Sequence, residues 1–267
     1  MAFLTRHVWV STTIVCAAAC ALFALALYPR GVDFESRLAH AAERQRVHDL
    51  ITQATVSLDH FDVASARKLF EQALTIDDDV YQVHLLLGLA DYEDGELDSA
   101  YTHFDRACSI WKFSPDAHNS RGVILWLKGE RKRAMRDFDK ALSMNPDFKR
   151  AKLNRGLAWL EWGDRDRARL DFEAVLAYEE AQGGQAALAS ISLGVLDASD
   201  NRYAAAERCF SYVFEFDVPI KQREMALFNR ARVYDAMGKA DLAQRDRDAL
   251  KQLEQSSAAA ASAAPDA

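Results

Sequence analysis

The chain has 267 residues, half of them apolar and 27% charged, with a formal net charge of −7. So mild an acidity argues against a dedicated nucleic-acid binder, which carries a basic domain. Five prolines and eleven glycines leave little room for long disordered stretches away from the ends.

The first element is apolar. From Val8 to Tyr28 no residue is charged, and a helix crosses a bilayer with roughly 20 apolar residues. Residues 1–30 therefore read as one transmembrane anchor. Arg6 before it and Arg30 after it, the latter diluted by Asp33 and Glu35, place the N-terminus inside and the bulk of the chain outside the cytoplasm. The alternative is a signal peptide cleaved after Ala24-Leu25-Ala26, which leaves a periplasmic protein. Ala17 stands where a lipoprotein signal places a larger aliphatic residue before Cys20. Residues 31–46 read as a linking helix.

The body of the chain is periodic. Ala-x-x-x-Phe recurs every 34 residues, at Ala66/Phe70, Ala100/Phe104, Ala134/Phe138 and Ala168/Phe172. A fifth copy, Ala206/Phe210, follows after 38, with the slack placed around Gln182-Gly183-Gly184-Gln185. Twelve residues before each alanine stands a small residue: Ala54, Gly88, Gly122, Gly156 and Gly194. Five before it stand Gly95, Gly129 and Gly163, with Asn201 in the fifth copy. A helix that must end in a left-handed residue takes glycine, or failing that asparagine. A sixth unit comes three residues late, with Gly238 before Ala243 and Arg247 in the phenylalanine place.

This pattern resembles the tetratricopeptide repeat, a 34-residue helix–turn–helix. Residues 115–148 fit best, with Gly122, Leu125, Gly129, Ala134, Phe138, Ala141 and Pro146 in pattern places. The early tryptophan of the motif is replaced by His84, His118 and Lys152. The resemblance implies an all-α fold: a right-handed α-solenoid of about six units over 47–255, preceded by the transmembrane helix. No unit buries its apolar face alone, so the units must stack. The tail, 256–267, has too few large apolar groups to pack and reads as disordered.

The resemblance also implies a concave groove lined by the first helix of each unit, at motif positions 2, 5, 6, 9, 12 and 13. In this chain those places hold Leu85, Leu86, Leu89 and Tyr92, then Asn119, Val123 and Trp126, then Arg150, Leu153, Asn154, Leu157 and Leu160, and finally Phe228, Asn229 and Arg232. An asparagine both donates and accepts, so it can pair with a peptide backbone, while apolar neighbours read side chains. The leucines could equally contact one another or the chain's own N-terminal helix. The family's two-carboxylate clamp for chaperone tails is matched at Asn154 alone; Asn119, Val123, Leu188 and Ser192 stand in its other places.

Residues 128–169 hold thirteen Lys/Arg against seven Asp/Glu, a belt that could steer an acidic partner or be a solvated helix face. No nucleophile–base pattern, phosphate loop or metalloprotease motif occurs. The cysteines, Cys16, Cys20, Cys108 and Cys209, have no zinc-site spacing and read as small apolar residues. The expectation is a non-enzymatic, membrane-tethered scaffold without metal or cofactor. Its partner is a protein or peptide, in a bacterial envelope assembly, secretion or pilus machine. The alternatives are a self-assembling solenoid, hence a homo-oligomer, and an accessory subunit that positions a partner enzyme.

Overall fold

The computed structural model describes residues 34–60, 62–177 and 183–263. The apolar segment 8–28, with its anchor and signal-peptide readings, lies outside the described residues. Among those described, no helix is long and apolar enough to cross a membrane.

The described chain is all helix, in six consecutive antiparallel pairs. The first pair is α1 (Phe34–Asp59) and α2 (Val63–Ile76), and the second is α3 (Tyr81–Glu93) and α4 (Leu97–Ile110). The third and fourth are α5 (Pro115–Leu127) with α6 (Arg131–Met144), and α7 (Lys149–Trp162) with α8 (Arg165–Leu176). The fifth is α9 (Gly184–Ser199) with α10 (Tyr203–Tyr212), and the sixth α11 (Ile220–Ala236) with α12 (Ala240–Ala263). A short 3₁₀ turn, Val213–Glu215, follows α10, and the slack before the last pair falls between it and Pro219, which precedes α11.

Local chemistry sets the ends of these helices. Asp62, Ser114 and Asp164 accept a hydrogen bond from the backbone N–H three residues on, each satisfying one orphan donor of a helix start. Pro115 fills the first turn after Ser114, where its missing N–H costs nothing. The turn inside each unit is a repeated device. In the fourth pair Asp164 N–H reaches Trp159 O at 2.9 Å and Gly163 N–H reaches Leu160 O at 3.1 Å, with Gly163 at φ +91°. That is a Schellman motif. Asn201, at φ +59°, makes the same turn without glycine.

Within a pair, the small residue and the phenylalanine fit together. A Cβ built on Gly156 would lie 2.6 Å from the Phe172 ring, and one on Gly122 2.8 Å from Phe138. The missing side chains are what let the helices cross this closely. Phe104, Phe138, Phe172 and Phe210 are all fully buried. Phe138 also belongs to one cluster with Ala158 of the next unit, so each ring packs within its own unit as well as toward its neighbour.

From the second unit onward, consecutive first helices touch each other: α3 with α5, α5 with α7, α7 with α9, and α9 with α11. Second helices pack on the first helix of the following unit instead. First helices thus form an inner layer and second helices an outer one.

Two sequence expectations are corrected at the ends. Residues 34–46 are not a separate linking helix, because α1 runs unbroken from Phe34 to Asp59. No glycine or proline interrupts it, and Val47 and Ala54 pack with Ala66 and Phe70 of α2. Residues 256–263 are helical and not disordered, since α12 continues to Ala263. Composition excluded packing there, but alanine is the strongest helix former, and extending an existing helix needs no new nucleus.

The inner face as a candidate binding surface

Position 9 of the inner helices forms an apolar row. Leu89, Leu157 and Val195 are 39%, 40% and 41% exposed, and Val123 between them is half-buried. Side chains of this kind are normally covered, so a row repeated over four units is informative where single exposed residues are not. Tyr92, Met225 and Phe228 extend the exposed apolar surface, and Leu86 is half-buried.

The polar residues behave differently. Asn119 is buried, and its side-chain oxygen accepts from Asn154 Nδ2 at 2.9 Å. The pair bridges α5 to α7. Trp126 Nε1 donates to Glu161 at 2.6 Å, and Arg131 donates to the other oxygen of Glu161 at 3.0 Å while stacking over the Trp126 ring. Arg150 donates to Asp116 at 2.6 Å, and Asn229 Nδ2 to the Met225 carbonyl at 2.8 Å. The asparagine amides read from sequence as partners for a peptide backbone are therefore engaged within the solenoid, as is the Arg150 guanidinium. The apolar residues are left open, and with them Arg232.

The basic belt is similarly absorbed. Arg155 pairs with Asp139 and Asp171, Arg165 with Asp200, and Arg169 with Asp197 and Asp200. Lys128 pairs with Asp98. Most of these acids lie on neighbouring helices, so the belt works as cross-links between units more than as a free field.

One such cross-link recurs and escaped the sequence reading. At position 7, Arg121 grips Asp137 through Nε at 2.8 Å and Nη2 at 2.7 Å, and reaches Asp105 of the preceding unit at 2.7 Å. Arg155 does the same to Asp171 and Asp139. Arg230 repeats it with Asp246, and with Ser211 in place of the second acid. Each arginine thereby ties three helices. A signal existed: Arg121 and Arg155 are one repeat apart, as are Asp137 and Asp171.

Burial pushes the Asp137 carboxyl up, but hydrogen bonds from Arg121 and His118 outweigh it and hold the group below the usual carboxylate range. A depressed carboxylate contributes stability above its unfolded pKa, about 4, and loses it as pH falls through the folded value. Asp137→Asn should therefore lower stability at neutral pH and flatten the decline below about pH 4. Urea unfolding from pH 7 to pH 3 reads both, and an equally steep acid decline in the variant would refute this role.

The two cysteines among the described residues are free. Burial pushes the Cys108 thiol up to about 12, which keeps it protonated and unreactive. Among the described residues no group of three His, Cys, Asp or Glu is placed to hold a metal ion.

Stacked helix pairs, crossed at glycine and open along an apolar inner row, define a helical-repeat solenoid. Residues 115–148 match the tetratricopeptide repeat family model, so the chain contains that repeat and has the tetratricopeptide-repeat fold. Solved structures agree. It is similar to PilF of Pseudomonas aeruginosa, with a TM-score of 0.67 at 18% identity, covering 79% of this chain and 93% of that one. It is similar to PilW, described as a type IV pilus biogenesis factor, with a TM-score of 0.66 at 21% identity over 77% and 92%. A tetratricopeptide repeat protein from Parabacteroides merdae ATCC 43184 gives 0.60 at 23% identity over 78% and 80%. At these identities the likeness is one of fold. No curated protein matches the chain.

Proposed function

We propose that this protein is a binding scaffold that holds a segment of another protein against its inner face, tethered to a membrane by residues 8–28. The apolar row of exposed Leu89, Leu157 and Val195 with half-buried Val123 carries this reading. A partner that covers the row with its own apolar side chains gains roughly 25 cal/mol for each Å² of apolar area removed from water. Regular spacing along an inner face suits a partner in an extended or helical conformation. The envelope setting is supported by the apolar N-terminal run and by likeness of fold to a pilus biogenesis factor. The repeats then lie outside the cytoplasm.

Proximity labelling in the native host, with the labelling enzyme fused after Ala267, tests both halves. Extracytoplasmic or envelope-machine proteins are the expected hits, and exclusively cytoplasmic hits would invert the topology. Leu157→Glu should then abolish capture of the strongest hit, because it sets a charge in the middle of the row. Helicity and unfolding midpoint should stay near wild type, since Leu157 is already 40% exposed. Undiminished capture would remove the inner face from the function.

A further inference from the structure

The inner face is not uniform. Position 12 is filled by Tyr92, Trp126 and Leu160 in the second to fourth units, then shrinks to Ala198 in the fifth. Position 13 shrinks with it, from Glu93, Leu127 and Glu161 to Ser199, and in the sixth unit to Ala236. The space so vacated is a cavity of about 330 Å³ between α9, α10 and α11. Val195, Ala198, Phe210, Val233 and Ala236 give it apolar walls, and Arg232 stands in its lining. Val195 is also the last member of the exposed row, so the cavity continues the groove.

Arg232 sets the chemistry. It is exposed, and its guanidinium stacks over the Phe228 ring at 5.7 Å, which restricts the side chain while leaving its N–H groups to point elsewhere. Among the described residues no carboxylate lies within ion-pair distance of it. The nearby acid on the same helix, Asp235, is taken by Arg247. The other inner-face arginine, Arg150, is already paired with Asp116. A guanidinium beside an apolar cavity suits a carboxylate carried next to an apolar side chain, because the fork geometry binds a carboxylate in bidentate fashion.

We infer that the cavity between the fifth and sixth units is the specificity pocket of the groove. It takes one aliphatic or aromatic side chain of a partner protein whose neighbouring Asp or Glu pairs with Arg232. The inference rests on the inner face being the binding surface. The partner is thus an acidic–apolar segment, drawn by the unpaired Arg232 although the whole chain is acidic.

The test is selection of binders from a displayed random-peptide library, built with no free C-terminus, against the full chain in detergent. Wild type should enrich Asp or Glu beside Leu, Ile, Met or Phe. Arg232→Glu, an exposed change that leaves folding alone, should erase the acidic preference by at least tenfold and favour Lys or Arg. Ala198→Leu should fill the cavity and erase the apolar preference. Leu157→Glu separates the two levels of the proposal. If Leu157→Glu blocks selection while Arg232→Glu and Ala198→Leu leave the selected sequences unchanged, the pocket assignment is wrong and the groove stands. If none of the three alters selection, the groove itself is wrong. If nothing is enriched from this library while a second library displayed with free C-termini does yield binders, the side-chain carboxylate assigned here is overturned.

Discussion

Phe138→Ala should cost about 3–5 kcal/mol of unfolding free energy, the range for removing a buried phenylalanine. The ring is 2% exposed and packs with Leu125, Ala134, Met135 and Ala158. Its other flank is Gly122, which has no side chain to swing into the gap. The unit is central, so the loss falls on the interfaces to both neighbours as well as on the unit itself. The geometry makes a sharper demand on a second change. Gly122→Ala by itself should destabilise, because its Cβ would lie 2.8 Å from the ring. Added to Phe138→Ala it should instead recover part of the loss, by filling the vacated space. A urea-unfolding double-mutant cycle reads the coupling. Additive effects would mean that the two residues do not share this crossing.

Removing one side of the arginine cross-link is the second large effect. Arg155→Leu leaves Asp171 buried without its guanidinium and frees Asp139 on the preceding helix. Breaking a buried pair by deleting one partner costs about 3 kcal/mol or more. Replacing both partners is a different matter, because an apolar pair of similar size can be neutral or better. The fifth unit already demonstrates the substitution: Leu193 and Cys209 stand where Arg155 and Asp171 stand in the fourth. Arg155→Leu with Asp171→Cys should therefore regain most of the stability that Arg155→Leu loses, measured as the urea midpoint. A double variant as unstable as the single one would show that the tie to Asp139 carries the energy.

The repeat was legible because its determinants are local or nearly so. Gly163 is fixed by a backbone turn that only glycine or asparagine enters cheaply, and Gly156 by a ring sixteen residues away in the same unit. Each recurs with the period, so a single sequence displays the pattern several times. Pairing of charged side chains between helices is harder to read. Arg155 and Asp171 sit on helix surfaces dense with charge, where most residues are solvated, and nothing in one copy marks that pair as buried. The binding surface was half legible for the same reason. The apolar positions of the groove followed from the motif. The partners of its polar residues did not, since Asn119 meets Asn154 and Trp126 meets Glu161 only across a full repeat.

By itself, the sequence determined the helix pairs, their turns and their number, because caps, left-handed turn residues and a 34-residue apolar period act within one unit. It also bounded the chemistry, through an acidic charge balance and the lack of any catalytic or metal-binding motif. Only the tertiary structure decided which polar side chains are spent on holding the units together and which are left over. That depends on the spacing of neighbouring inner helices, a distance set jointly by two units. The same spacing, acting on the small residues Ala198, Ser199 and Ala236, opens the cavity beside Arg232.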